Sequence, residues 1–259
     1  MRRFLVPFLA LAFVSLMPRT VLSWGNAPTH FSIANDLANN SGYTGLLPAS
    51  DNPNLFIRAS ACTDLAWTQT FKTAGLGYVH TPEFAEALYD VALRFWWKSN
   101  WRTIAHAYGA HIAADGVVHS TFLAIVGELI HSLVEVSVDT LIFYNGTPIV
   151  PSTPPFVWEN INVGDDACDP LLFILASRRY RERTGHAVPT IQLGHMLVAV
   201  PGLASSIAVE YDYHKLKGNT DLSEAFLQNL VNQGVLPGGF ESYYGDSLEA
   251  AADWIQVHQ

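Results

Sequence analysis

The sequence is poor in strand signals, in basic residues and in cysteine, and each shortage narrows what the chain can be. Alternating runs of β-forming residues are scarce, whereas helical patterns recur along the chain, so the expected class is all-α. Lysine and arginine number 14 against 23 aspartates and glutamates, for a formal net charge of −9. Such a chain repels polyanions unless a local cation reverses the field, and no basic nucleic-acid patch is visible. The only cysteines are Cys62 and Cys168. In an oxidising compartment they form one bridge, or else stay as two separate buried thiols. Internal repeats and low-complexity tracts are absent. Disorder is excluded, because 49% of the 259 residues are hydrophobic and 12% aromatic, ample for a large core.

What is present begins with a leader. Arg2 and Arg3 precede an apolar run from Phe4 to Met17 that only Pro7 and Ser15 interrupt, and Val21-Leu22-Ser23 supplies a cleavage site. Residues 1–23 therefore read as a secretory signal peptide, with an uncleaved anchor as the alternative. The run is short of the roughly 20 apolar residues of a membrane span. Cleavage after Ser23 makes Trp24 the N-terminus of a secreted domain, 24–259, and removes three arginines and no acid. Asn39-Asn40-Ser41 and Asn145-Gly146-Thr147 are N-glycosylation sequons, used if the host glycosylates.

Helices are expected over 29–38, 55–67, 82–101, 103–116, 121–144, 170–184, 221–232 and 247–258. Thr81-Pro82-Glu83 marks a helix start by its cap, its proline and its acid. Phe84, Leu88, Val91 and Phe95 would line one buried face of that helix. Asn145 to Gly164, with four prolines, is a long irregular connection. Residues 190–213 are apolar but interrupted by Pro201-Gly202. They read as a buried, kinked helix pair, with a membrane span as the alternative. The expected architecture is one domain, a multi-helix bundle.

Histidines carry the chemistry. His111 and Asp115 stand four apart on one helix face, and so do His131 and Glu135; His119 lies between the pairs. An imidazole and a carboxylate at that spacing can grip one metal ion, because both leave the helix on the same side. The flanking residues, Ile112, Ala113, Ala114, Val117, Val118, Leu133 and Val134, are apolar. Buried imidazoles and carboxylates need partners, and a metal is an effective one. Asp64 in an apolar stretch, His80 ahead of the Pro82 helix, and His30 six residues after Trp24 extend the candidate set. His106 is structural or supports the site from behind, and the Arg178, Arg179, Arg181, Arg183 cluster reads as a solvated helix face.

The order Trp-Gly…Thr-His, Asp, His, His-x-x-x-Asp…His, His-x-x-x-Glu resembles the zinc-dependent phospholipase C family, which shares its fold with single-strand-specific S1/P1 nucleases. His80-Thr-Pro-Glu-Phe-Ala-Glu-Ala-Leu and Ala107-Tyr-Gly-Ala-His-Ile-Ala-Ala-Asp carry the same likeness, which covers residues 24–135. The resemblance implies a bundle enclosing three zinc ions. Trp24, by its freed amine and carbonyl oxygen, and His30 would hold one. Asp64, His80 and His111 would hold the second, with Asp115 bridging the two. His119, His131 and Glu135 would hold the third. The spacing from Asp115 to His119 is shorter than in bacterial phospholipases C.

Zinc lowers the pKa of bound water from about 15.7 toward about 7 and so supplies hydroxide. Asp64 would act as a general base, or as ligand only. The expected function is a secreted phosphoester hydrolase that cleaves the glycerol–phosphate bond of a phospholipid, with transient membrane-surface contact. The alternatives are an S1/P1-type nuclease or nucleotidase acting on nucleic acid, and a secreted zinc-binding protein without turnover. Trp96, Trp97 and Trp101 could stack bases, line a lipid pocket or fill the core.

Overall fold

The computed structural model describes residues 27–60, 62–63, 75–120, 134, 137–139, 141, 164–186, 188–189, 220–236 and 238–259. Every regular element among them is helical and no strand occurs, so the fold is all-α as the sequence predicts. The α-helices are α1 (Ala27–Asn39), α2 (Pro53–Ser60), α3 (Pro82–Arg94), α4 (Ser99–Val118), α5 (Gly164–Ala167), α6 (Pro170–Thr184), α7 (Thr220–Asn232) and α8 (Gly239–Val257). Short 3-10 turns cover Ser41–Tyr43 and Gly77–Val79. Val134, 137–139 and Leu141 are helical, within the helix expected over 121–144. The stretches expected at 64–67, 145–163 and 190–213 lie outside the described residues. Among the described residues no helix is long and apolar enough to cross a membrane.

Local chemistry accounts for the helix ends. The Thr81 hydroxyl accepts from the Phe84 N–H and Pro82 opens α3. Asp169 caps α6 by accepting from the Leu171 and Leu172 N–H groups at 2.9 and 3.3 Å. Gly185 ends the same helix at φ 74°, a left-handed position that suits glycine. Several boundaries differ from expectation. The helix expected over 55–67 ends at Ser60, with Cys62 and Thr63 in a turn, and the one expected from 103 begins at Ser99. The helix expected to run to Trp101 stops at Arg94, and Phe95–Trp97 form a turn into α4. The last helix begins at Gly239 rather than Ser247.

α4 is the organising element. It packs against α1, α2, α3 and α8. From Trp101 to Ala114 only Arg102 and Ala113 escape full burial. A helix covered on nearly every side needs no amphipathic stripe. Its small residues, Ala105, Ala107, Gly109 and Ala110, let neighbours approach closely. Phe84 of α3, Tyr108 of α4 and Phe173 of α6 meet with ring centroids 5.5–6.0 Å apart. They form part of a core that also takes Phe31, Leu55, Leu88, Leu248 and Ile255. A second apolar cluster joins Val134 and Leu141 to Leu227, Leu230 and Leu236.

Three polar ties lock this packing. Cys62 and Cys168 form a disulfide, the bridged alternative of the two open from sequence. Arg58 of α2 makes a bidentate pair with Asp166 of α5 at 2.6 and 2.8 Å. His106, wholly buried, bonds Asp51 Oδ2 at 2.6 Å through Nδ1 and the His258 carbonyl at 3.0 Å through Nε2. His106 is thus structural, and it fastens the C-terminal turn to α4. The arginine face of α6 is not simply solvated. Arg179 and Arg183 reach across to Asp90 of α3 at 2.8 and 3.1 Å.

α4 and α8 approach closely at Gly109. A Cβ there would stand 1.9 Å from the Trp254 indole of α8. Gly109→Ala is therefore expected to cost about 1–3 kcal/mol by overpacking, read as a lowered thermal midpoint. In a Trp254→Ala background the same Gly109→Ala change should cost less than it does in the wild type. An unchanged midpoint in Gly109→Ala would contradict this packing.

Candidate functional site

Three elements present the site. α4 carries His111 and Asp115, and His119 caps its C-terminal end; the successive four-residue steps stack the three along one face. α1 carries His30 in its first turn. Thr29 beside it is held from a distance: its N–H and hydroxyl both donate to Asp139 Oδ1, at 3.1 and 2.6 Å. His80 follows the 3-10 turn Gly77–Val79, which the Tyr108 hydroxyl fixes by donating to the Val79 carbonyl. The Thr81 hydroxyl donates to the Tyr78 carbonyl at 2.8 Å and closes the next turn.

These side chains converge on Asp115. Its Oδ1 faces His30 Nε2 at 3.9 Å, while its Oδ2 faces His80 Nε2 at 3.6 Å. His119 Nε2 donates to the same Oδ2 at 3.0 Å. His80 and His111 bring their Nε2 atoms to 3.4 Å. The His30 and His111 rings stack with centroids 3.6 Å apart. The imidazoles of His30 and His111 are buried, and the His111 side chain also meets the backbone of Ser60 at the end of α2.

Burial sets the charge states. It pushes His80 down to about 3; Asp115 pulls the other way, and the neighbouring imidazoles of His111, His30 and His119 add to the lowering. Burial likewise pushes His111 down to about 4, against Asp115 and the Ser60 backbone. For Asp115 burial alone would raise the pKa. The His119 hydrogen bond, then the charges of His80, His30 and His119, more than reverse this and hold it well below the usual carboxylate range. At neutral pH His80 and His111 are therefore unprotonated beside one ionised carboxylate.

That donor set suits zinc, which takes imidazole nitrogen and carboxylate oxygen. Two nitrogens bound to one tetrahedral ion at about 2.1 Å stand about 3.4 Å apart, and His80 and His111 have that separation. The pairs are spaced for an ion, but the set does not converge on one. Among the described residues no group of three or more His, Cys, Asp or Glu stands ready to hold a metal.

Five of the nine sequence-predicted ligands, His30, His80, His111, Asp115 and His119, are thus brought together. Trp24, Asp64, His131 and Glu135 lie outside the described residues. Cys62 and Thr63, immediately before Asp64, are buried. The structure places His119 on Asp115, whereas the resemblance groups it with His131 and Glu135. Asp139 was not singled out from the sequence. Its signal was available, since it continues the four-residue spacing of His131 and Glu135.

The depressed histidines predict acid lability of the metal-free chain. An imidazole whose folded pKa lies below its unfolded value of 6.5 binds fewer protons when folded. Stability should then fall as pH drops from 6.5 toward 4. Urea midpoints measured with chelator across that range check this. The slope should lessen in His80→Gln, and a flat profile would contradict the burial of neutral imidazoles.

Compared with known proteins, the chain matches no family model, no curated protein and no solved structure.

Proposed function

We propose that the chain is a secreted zinc-dependent phosphoester hydrolase of the phospholipase C kind. One observation carries the reading: Asp115 splits its two carboxylate oxygens between His30 of α1 and His80 ahead of α3. A carboxylate so placed is disposed to bridge two ions, the role that the phospholipase C resemblance gives it. Supporting it are the neutral imidazoles of His80 and His111, which need lose no proton to become ligands.

On this reading His30, His80, His111 and Asp115 hold a metal pair, joined by Trp24 and Asp64. His119, with His131 and Glu135, belongs to a third ion. Bound zinc would polarise a phosphoryl oxygen and yield hydroxide near neutral pH. The residues do the rest. Asp115 keeps its charge and fixes the spacing of the histidines on either side of it. The bonds from Thr29 to Asp139 fasten the first turn of α1, and His30 with it, to the helical residues 137–139. The positive charge of the ions reverses the acidic field of the chain and attracts a phosphate ester.

Purified protein loaded with zinc should hydrolyse phosphatidylcholine to diacylglycerol and a phosphorylated headgroup. Asp115→Asn and His111→Ala should each lower zinc content and reduce the rate at least about 100-fold, the scale on which metal-site residues act. Turnover of single-stranded DNA alone would replace the lipase reading with a nuclease. Full zinc occupancy without turnover of either substrate would leave a zinc-binding protein.

A further inference from the structure

Among the described residues five large hydrophobic side chains are exposed: Leu93, Trp96, Trp97, Leu171 and Val257, at 46, 80, 59, 53 and 79%. Four of the five gather at one end of the molecule. Leu93 closes α3, Trp96 and Trp97 form the turn into α4, and Leu171 opens α6. A hydrogen bond from Trp101 Nε1 to Asp169 Oδ2 at 2.7 Å fixes the start of α6 against the start of α4. The disulfide at Cys168 pins the same corner to the end of α2.

The turn is built to hold its indoles outward. Phe95 tucks back against buried Trp101, with centroids 5.3 Å apart, and Trp97 rests edge-on upon Phe95 at 5.3 Å. Trp96 meets Trp97 at 6.0 Å and projects beyond it. Two stacked supports thus raise two tryptophans into solvent, where a soluble surface gains nothing from them.

Charge identifies the occupant. From Leu93 to Arg102 the chain carries Arg94, Lys98 and Arg102 and no acid, in a protein with 23 acidic and 14 basic residues. Arg94 and Lys98 are exposed beside the indoles. The described carboxylates around this corner are taken up: Asp169 by Trp101 and by the Leu171 and Leu172 N–H groups, Asp90 by Arg179 and Arg183, and Asp166 by Arg58. Tryptophan settles at the headgroup level of a bilayer, with its ring in the apolar boundary and its N–H in water. Flanking cations add attraction to anionic lipid.

We propose that the α3–α4 turn is an interfacial anchor for an anionic lipid surface, inserting Trp96 and Trp97 with Leu93 and Leu171 at its edge. Lys98 and His111 are separated along α4 by about 20 Å of helix, so the anchor is a tether apart from the histidine cluster. It does not depend on the metal reading, and vesicle binding should be the same with and without added zinc.

The test is sedimentation of the intact protein with vesicles of phosphatidylcholine containing phosphatidylserine, against vesicles of phosphatidylcholine alone, followed also by tryptophan emission. The anionic vesicles should bind at least tenfold more tightly and shift the emission to the blue. Trp96→Ala with Trp97→Ala should lose that binding while keeping the thermal midpoint. Arg94→Gln with Lys98→Gln should lose the preference for anionic lipid. Equal binding to both vesicle types, or no loss in the tryptophan variant, would overturn the proposal. So would a tryptophan-dependent affinity for a single-stranded oligonucleotide without affinity for vesicles.

Discussion

Asp115 is an ionised carboxylate withdrawn from water, and such a group costs several kcal/mol unless its surroundings compensate. Here the compensation comes from imidazoles delivered by three separate chain segments. His119 lies one turn further along α4, His80 comes from the loop ahead of α3, and His30 comes from the first turn of α1. Each segment is itself tied down: α1 by Thr29 on Asp139, and the His80 loop by Tyr108 on Val79. The carboxylate is therefore where local helix geometry and long-range packing meet.

α4 makes this convergence possible. Alanines and Gly109 let α8 press onto one side, while α2 and α3 cover others. Its two buried histidines take different roles through their partners. His106 is saturated by Asp51 and the His258 carbonyl and closes the fold. His111, one turn on, stacks on His30 and meets His80 through its nitrogen. The same residue type on one helix thus serves stability at one position and the proposed chemistry at the next.

Much of this was legible in the sequence where a local rule acts alone. The start of α3 followed from Thr81-Pro82-Glu83, and α6 has the range expected for it, 170–184. The His111–Asp115 pairing followed from helical spacing. The break at 95–98 was not legible, because Phe95-Trp96-Trp97-Lys98 contains no glycine or proline and its apolar character continues the pattern of α3. Burial of Trp101 against Asp169, a tertiary contact, decides it. Gly238 and Gly239 hid the start of α8, where packing on α4 outweighs weak helix propensity. The approach of His30 to His111 and the Thr29–Asp139 tie depend on a separation of about a hundred residues in the second case, and no local pattern encodes them.

The central claim is that Asp115 and the histidines around it form one metal centre. Anomalous diffraction at the zinc edge, on crystals grown with zinc, tests it most directly. The account predicts anomalous density within coordinating distance of Asp115 and of the His30, His80 and His111 imidazoles. Zinc bound elsewhere on the chain, with no density at Asp115, would contradict it.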